Sequence, residues 1–213
     1  MVTGPHYCNV LYPGVCTVRH NKLYHSAMVL TSYKNPLRID PVSPDHCNGI
    51  IGMTLCPGKK EANAIAGDWD RDLDLDLRMI SDWGATALVS LMEKEEMAWY
   101  GVAELPEKAI RLGLDHYHLP IVDFDIPDES FEEHWQTAGV ILRDYLLSGK
   151  SIVIHCLGGL GRTGTVAGRL LVELGTDPET AIRRIRTARP GTIQSIMQER
   201  YVRNCKPVIN NQD

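Results

Sequence analysis

The sequence predicts an α/β fold with a central, mainly parallel sheet flanked by helices and preceded by an irregular N-terminal extension. Two observations carry this prediction. Short apolar runs typical of buried strands alternate with longer segments in which apolar residues recur at helical spacing. Glycine and proline mark the ends of these segments. The chain has 213 residues, enough to form one sizeable hydrophobic core.

Composition and charge exclude several classes of protein. The net charge is −5, from 22 basic and 27 acidic residues, which disfavours nucleic-acid binding because phosphate neutralisation needs clustered Lys and Arg. No apolar run is long enough to span a membrane, and the N-terminus lacks the pattern of a secretion signal. Six cysteines without Cys-x-x-Cys spacing indicate neither a zinc site nor a disulfide framework. These features predict a cytoplasmic protein with reduced cysteines. Nothing in the sequence indicates an oligomeric state.

Residues 1–45 are predicted to form the N-terminal extension, and residues 46–213 the folded domain. Prolines interrupt the extension at Pro36, Pro41 and Pro44. The alternative for this segment is a β-hairpin at residues 14–18.

The domain is predicted to contain four strands, at residues 50–55, 86–91, 116–120 and 152–154. Helices are predicted at residues 73–83, in pieces over 93–113, at 129–147, from 163 onwards, at 178–188 and at 193–205. Asp177 suits an N-cap and Pro178 the first helical position, which together form a good start signal. Residues 59–69 are predicted to form a polar loop.

A strand, a glycine-rich loop and a helix start follow one another at residues 151–164. Residues 156–162, called the glycine loop below, begin at Cys156 and end at Arg162. The residues between them are Leu157, Gly158, Gly159, Leu160 and Gly161. Glycines let successive backbone N–H groups turn towards one point, and the positive end of the following helix also attracts an anion. These residues therefore predict a phosphate-binding site.

The glycine loop also contains a candidate nucleophile. The pKa of a cysteine near a helix N-terminus falls from about 8.5 to roughly 3.5–7.5, so Cys156 is predicted to react as a thiolate. The planar fork of Arg162 can hold two phosphate oxygens. A thiolate beneath a bound phosphate is positioned for in-line attack on phosphorus, which forms a phospho-cysteine. Thr163 is predicted to donate a hydrogen bond to the thiolate when it leaves, and His155 to orient the loop from a buried position.

The leaving oxygen in such a reaction needs a proton, so a carboxylic acid is expected on a separate loop. Three acids follow the strand that ends near Pro120, and any of them fits this requirement: Asp123, Asp125 and Asp128.

The sequence His155-Cys156, five residues, Arg162-Thr163 resembles the signature of cysteine-dependent phosphatases of the protein-tyrosine and dual-specificity family. A wider match resembles the kinase-associated phosphatase branch, at residues 55–59, 71–73, 83–85, 120–123, 127–128 and 193–196. The resemblance covers about residues 48–205 and implies a dual-specificity-phosphatase-like fold.

The resemblance also implies roles for individual residues. Cys156 corresponds to the nucleophile, Arg162 to the phosphate clamp and Asp123 to the general acid of the family. Gln194 and Gln198 lie near positions that orient water in family members.

The implied activity is hydrolysis of phosphotyrosine, with phosphoserine and phosphothreonine as further substrates, in a phosphorylated protein partner. No metal or organic cofactor is implied. Two alternatives stay open. The run Gly-Arg-Thr-Gly also occurs in phosphoinositide and RNA 5′-phosphatases of the superfamily, and a non-catalytic phosphate-binding module would share the same loop.

Two further patterns are interpreted as structural. The dinucleotide-binding pattern Gly-x-Gly-x-x-Gly is matched by the spacing of Gly159, Gly161 and Gly164. A dinucleotide-binding βαβ unit needs a second strand after the helix, but here the chain continues from helix to helix. A basic patch is expected to be surface charge on a helix, with attraction of an acidic or phosphorylated substrate as the alternative, at Arg183, Arg184, Arg186 and Arg189.

Overall fold

A computed structural model describes residues 29–45, 47–62, 64 and 67–208. Its strands are β1 (Val29–Leu30), β2 (Asp40–Val42), β3 (Ile51–Thr54), β4 (Lys60–Glu61), β5 (Asp68–Asp70), β6 (Ala85–Ser90), β7 (Asp115–His118) and β8 (Ser151–His155). Its helices are α1 (Leu73–Asp82), α2 (Lys94–Trp99), α3 (Leu105–Arg111), α4 (Glu129–Leu147), α5 (Gly161–Glu173), α6 (Pro178–Ala188) and α7 (Ile196–Asn204). Within these ranges, no helix is long and apolar enough to cross a membrane.

The central sheet has five strands in the order β2-β3-β8-β6-β7. Strands β3, β8, β6 and β7 are parallel, and β2 pairs antiparallel with β3 at the edge. The predicted α/β class with a mainly parallel sheet is confirmed, and the sheet as a whole is mixed because of β2.

Four short strands were not predicted: β1, β2, β4 and β5. Strand β2 lies in the predicted extension and contains Pro41, which an edge strand tolerates because it need not donate to the ladder. Strands β4 and β5 lie in or next to residues 59–69, so the prediction of a polar loop there is wrong in part; with β1 they form a second, three-stranded sheet. The alternative hairpin at residues 14–18 lies outside the described residues. The boundary between residues 45 and 46 stays a prediction.

Strand β8 lies at the centre of the sheet, and its side chains are buried on both faces. Ile152 and Ile154 pack with α4, α5, α6 and α7 on one face, whereas Val153 packs with α1, α2 and α3 on the other. A parallel strand covered by helices on both faces is expected to consist of consecutive apolar residues, and residues 152–154 are all apolar. The central strand is therefore rigidly held immediately before the glycine loop.

Side-chain caps define several helix starts. Asp177 accepts a hydrogen bond from Thr180 N at 3.0 Å, which confirms the predicted start of α6. Ser195 accepts from Gln198 N at 3.1 Å, so α7 begins at Ile196 and not at residue 193 as predicted. The residues just before this cap are irregular, with φ of 54° at Ile193.

A buried ion pair joins the turn after β3 to α1. Arg71 donates to Asp76 from Nε at 2.7 Å and from Nη2 at 2.8 Å, and both side chains are at most 2% exposed. Asp76 also accepts from Gly58 N at 2.8 Å, and Arg71 donates to Asn35 O at 2.9 Å. The pair thus ties three separate segments together at the edge of the sheet.

We expect Asp76→Asn to lower the free energy of unfolding by about 3–5 kcal/mol, because it leaves the buried Arg71 charge uncompensated. Urea denaturation followed by circular dichroism measures this loss. Asp74→Asn is the matched control: Asp74 pairs with Lys108 on the surface, and its loss should cost at most about 1 kcal/mol. Equal losses for the two variants would contradict the assignment.

Candidate active site

The candidate site lies where the carboxyl ends of the parallel strands meet, which is the usual position of a site in an open α/β sheet. The glycine loop leaves the end of β8 and enters α5. The segment after β6 contributes α2, and the segment after β7 contributes residues 121–128, called the acid loop below. The fold therefore gathers elements that are distant in sequence around one loop.

Every carbonyl oxygen from residue 157 to 160 accepts a hydrogen bond from another part of the protein. The donors are Cys56 N to Leu157 O at 3.1 Å, Arg189 Nη2 to Gly158 O at 3.0 Å, Arg189 Nε to Gly159 O at 2.6 Å, and Ile193 N to Leu160 O at 3.3 Å. No described peptide bond is cis, and in a trans peptide the N–H group points opposite to the C=O group. The N–H groups of the next residues along the loop therefore point to the inner side.

Gly159 shows why this loop needs glycine. Its φ is +68°, a conformation that L side chains rarely adopt. A Cβ atom here would also lie 2.2 Å from Thr54 O. The positive φ and the lack of room for a Cβ atom both require glycine at residue 159.

Arg189 is a residue whose role the sequence analysis missed. The prediction of a surface charge on a helix is wrong for this arginine, because its side chain is only 12% exposed and bonds two loop carbonyls. Its remaining nitrogen, Nη1, donates to Asp40 Oδ2 at 2.6 Å. Asp40 belongs to β2, so a strand that was not predicted anchors the arginine that shapes the glycine loop.

Arg162 is held in a buried network. Its side chain is 1% exposed, and its Nη1 and Nη2 donate to the two carboxylate oxygens of Glu96 at 2.7 and 2.8 Å. Nη2 also lies 2.8 Å from Asp123 Oδ1, and Nη1 donates to Ile121 O at 3.1 Å. Burial by itself lowers the pKa of Arg162, but the hydrogen bonds to Glu96 and nearby negative charges raise it above its ordinary value. The guanidinium is therefore permanently charged.

Three buried polar atoms beside the glycine loop have no hydrogen-bond partner among the described residues. They are His155 Nδ1, Arg162 Nε and Thr163 Oγ1. A buried donor without a partner costs free energy, so such atoms are expected where a ligand supplies the missing acceptor. Cys156, only 3% exposed, begins the same loop.

The three acid candidates have different surroundings. The side chain of Asp123 is half exposed and reaches Arg162. Asp125 accepts from the backbone N–H of the next residue, and Asp128 is the N-cap of α4. Of the three carboxylates, that of Asp123 contacts the glycine loop through its ion pair with Arg162. The other two carboxylates accept hydrogen bonds from backbone N–H groups.

Two glutamines lie over the start of α5. A Cβ atom at Gly161 would be 2.9 Å from Gln194 Oε1 and 3.0 Å from Gln198 Nε2. Gln198 is fully buried, accepts from Gln194 N at 3.0 Å and donates to Asp125 O at 3.1 Å. Gln194 is exposed at the edge of the loop. Gln198 thus links the acid loop to α7, while the exposed Gln194 side chain lies close to Gly161.

His155 is fully buried at the end of β8, in agreement with the predicted buried position. Its Nε2 lies 2.6 Å from Ser90 Oγ. Burial, assisted by the neighbouring His116, lowers the pKa of His155 to about 3, so the imidazole is neutral near pH 7.

Comparison with known proteins agrees with this geometry. The family described as "Tc-R-P: Polymorphic toxin system, DSP-PTPase phosphatase" matches residues 69–176. "Cyclin-dependent kinase inhibitor 3" from Rattus norvegicus is 30% identical over 179 residues, covering 79% of this chain and 78% of that protein. The chain belongs to the dual-specificity and protein-tyrosine phosphatase family.

Solved structures of this phosphatase family have the same fold. A structure of kinase associated phosphatase, with serine in place of its catalytic-site cysteine, has a TM-score of 0.70 at 28% identity and covers 79% of this chain and 93% of its own. This likeness confirms the predicted resemblance to the kinase-associated phosphatase branch. PTPMT1 in complex with PI(5)P has a TM-score of 0.56 at 16% identity, with 77% and 92% coverage, which shows a shared fold.

The part of the phosphatase that the structure describes contains no group of three or more His, Cys, Asp or Glu side chains arranged to hold a metal ion.

Glu96 was not among the predicted site residues. A glutamate in the first turn of a short helix is a common pattern, since it suits the helix dipole and closes a capping box with Glu93. The contact with Arg162 spans 66 residues of sequence, so no local signal could have indicated it.

We expect Glu96→Gln to weaken binding of inorganic phosphate about tenfold, because Arg162 loses a charged hydrogen-bond partner that fixes its orientation. Isothermal titration calorimetry measures the affinity. Glu95→Gln, on the exposed side of α2, is the matched control and should bind phosphate as the unmodified protein does. Unchanged affinity in Glu96→Gln would show that Glu96 does not hold Arg162 for phosphate binding.

Proposed function

We propose that this phosphatase hydrolyses phosphomonoesters on proteins, phosphotyrosine first and phosphoserine and phosphothreonine in addition, through a phospho-cysteine at Cys156. The observation that carries the proposal is that the carbonyl oxygens of residues 157–160, between buried Cys156 and ion-paired Arg162, are all bonded from other parts of the protein, from which we infer a ring of inward-facing N–H groups. Such a ring binds a phosphate dianion and stabilises the charge on its equatorial oxygens during transfer.

In the first step, a phosphate dianion accepts from the loop N–H groups and from Arg162 Nε. It also competes with Asp123 for Arg162. The Cys156 thiolate attacks phosphorus, the bond from phosphorus to the substrate oxygen breaks, and Asp123 gives its proton to that oxygen.

In the second step, the Asp123 carboxylate takes a proton from water as the water oxygen attacks phosphorus. The sulfur–phosphorus bond breaks and returns the thiolate. Thr163 Oγ1, buried and without a partner among the residues that the structure describes, supports this step by donating to the leaving sulfur. Gln194, exposed and close to Gly161, is proposed to orient the attacking water.

The surface beside the site favours a protein substrate over the alternatives. An open cleft of about 660 Å³ adjoins the acid loop. Five of its lining residues are acidic: Asp125, Asp128, Glu129, Glu132 and Glu133. This charge repels an anionic membrane surface and an RNA backbone, which disfavours phosphoinositide and RNA 5′-phosphate substrates. Relatives named for kinases also support a phosphoprotein substrate.

We expect a phosphotyrosine peptide to be hydrolysed at least about tenfold faster, in kcat/KM, than either a phosphothreonine peptide or a soluble phosphoinositide. Release of inorganic phosphate measures the rates. Cys156→Ser, which keeps the size of the side chain but removes the thiolate, should lower every rate by about 10³-fold or more. Turnover of the cysteine variant near the normal rate would refute the mechanism, and preference for the phosphoinositide would refute the substrate class.

We expect Asp123→Asn to lower kcat about 10²- to 10⁴-fold for phenyl phosphate, whose leaving group needs a proton. The loss should be smaller for para-nitrophenyl phosphate, which has a better leaving group, and phosphate binding should persist. Steady-state kinetics on both esters measures this difference. Asp125→Asn is the matched control on the same loop; if it showed the selective loss instead, the general acid would be misassigned.

A further inference from the structure

We propose that His116, acting through Ser90, is a positioning residue that fixes the proton of His155 on Nδ1 and so supports the Cys156 thiolate. The proposal rests on the proposed function of this site and adds a residue to it.

The three side chains form a continuous hydrogen-bonded chain. Ser90 Oγ lies 2.6 Å from His155 Nε2 and 2.9 Å from His116 Nε2. Ser90 and His155 are both fully buried. Strand β6 lies between β8 and β7, so Ser90 at its end has one histidine on each neighbouring strand.

The number of protons on the three side chains limits how they can hydrogen-bond to one another. Burial lowers the pKa of His116 to about 4 and that of His155 to about 3, so both imidazoles are neutral at the pH of the assay. Each carries one proton, and the Ser90 hydroxyl carries one that it can donate. For the chain to be fully satisfied, one imidazole donates to Ser90 and Ser90 donates to the other.

The surroundings of His155 decide the direction. Its Nδ1 is buried and has no hydrogen bond within the usual distance limit among the described residues, but the backbone of Cys156 lies near enough to favour the protonated ring. A proton on Nδ1 directs the positive end of a dipole towards the Cys156 backbone, whereas a lone pair there would face it with negative charge. We therefore infer that His116 Nε2–H donates to Ser90 Oγ and that the Ser90 hydroxyl donates to His155 Nε2.

Other charged and titratable groups near the chain do not replace His116. His155 faces Cys156 on its own loop, Arg162 on α5 and His118 on β7. His116 is influenced by His118 on its own strand, and Lys94 of α2 lines the same cavity as these two histidines. The Nε2 atom of His118 is bonded to Met92 O at 2.8 Å and is not available to Ser90. His118 is thus a histidine on the same strand with a different hydrogen bond, and it serves as a matched control.

The test measures the pH dependence of Cys156 alkylation by iodoacetamide, with the modified peptide quantified by mass spectrometry. His116→Phe keeps a ring but removes the donor, and we expect the midpoint of the pH dependence to rise by about one pH unit. His116→Gln retains an N–H donor and should restore most of the midpoint. His118→Gln should leave it unchanged. The acidic limb of the pH profile for para-nitrophenyl phosphate should move with the midpoint.

Several results would overturn the proposal. One is an unchanged midpoint in His116→Phe, and another is an equal shift in His118→Gln. Nitrogen-15 NMR of the unmodified protein tests the orientation without any variant, and a proton on Nε2 of His155 would refute it. Failure of the proposed function is distinct, because it would appear as absent turnover in the unmodified protein. Normal turnover with an unmoved midpoint would refute only the role of His116.

Discussion

The carbonyl oxygens of the glycine loop are hydrogen-bonded on its outer side by donors from the end of β3, from Arg189 after α6 and from the segment before α7. This outward bonding turns the N–H groups inward, and everything else in the site depends on it. A flexible glycine segment would lose much conformational entropy on binding phosphate. Here hydrogen bonds within the folded protein already fix the loop, so the proposed phosphate site is preorganised.

The side chain of Arg162 is also held in place by other parts of the folded protein. Glu96 takes two of its nitrogens, and Asp123 shares one of them. Pairing offsets the desolvation of a buried guanidinium and fixes its plane. In the described part of the chain Nε has no partner, so the network restrains the arginine but leaves one donor unused. The contact with Asp123 further connects the acid loop to the glycine loop, so the residue proposed as the acid and the residue proposed to bind phosphate form an ion pair.

The described part of the N-terminal segment contributes to this arrangement through Asp40. Its carboxylate pairs with Arg189, and Arg189 in turn bonds the carbonyls of Gly158 and Gly159. Strand β2 therefore does more than widen the sheet. Through two side chains, it connects the edge of the sheet to the conformation of the loop at its centre.

The sequence by itself determined those features whose parts are contiguous. The strand, Cys156, the glycines, Arg162 and the helix start lie within one short stretch, and the family resemblance then selected Asp123. Helix caps such as Asp177 were also predictable, because a cap bonds to a residue three positions away.

The residues that support the site could be identified only from the tertiary structure. Glu96, Arg189 and Ser90 bond to partners 66, 30 and 65 residues away. A charged residue on a helix has the same local pattern whether it faces water or a buried carbonyl. Strand β2 escaped prediction for a related reason: three residues with a central proline at a sheet edge are too short to show a period, and the pairing with β3 defines them.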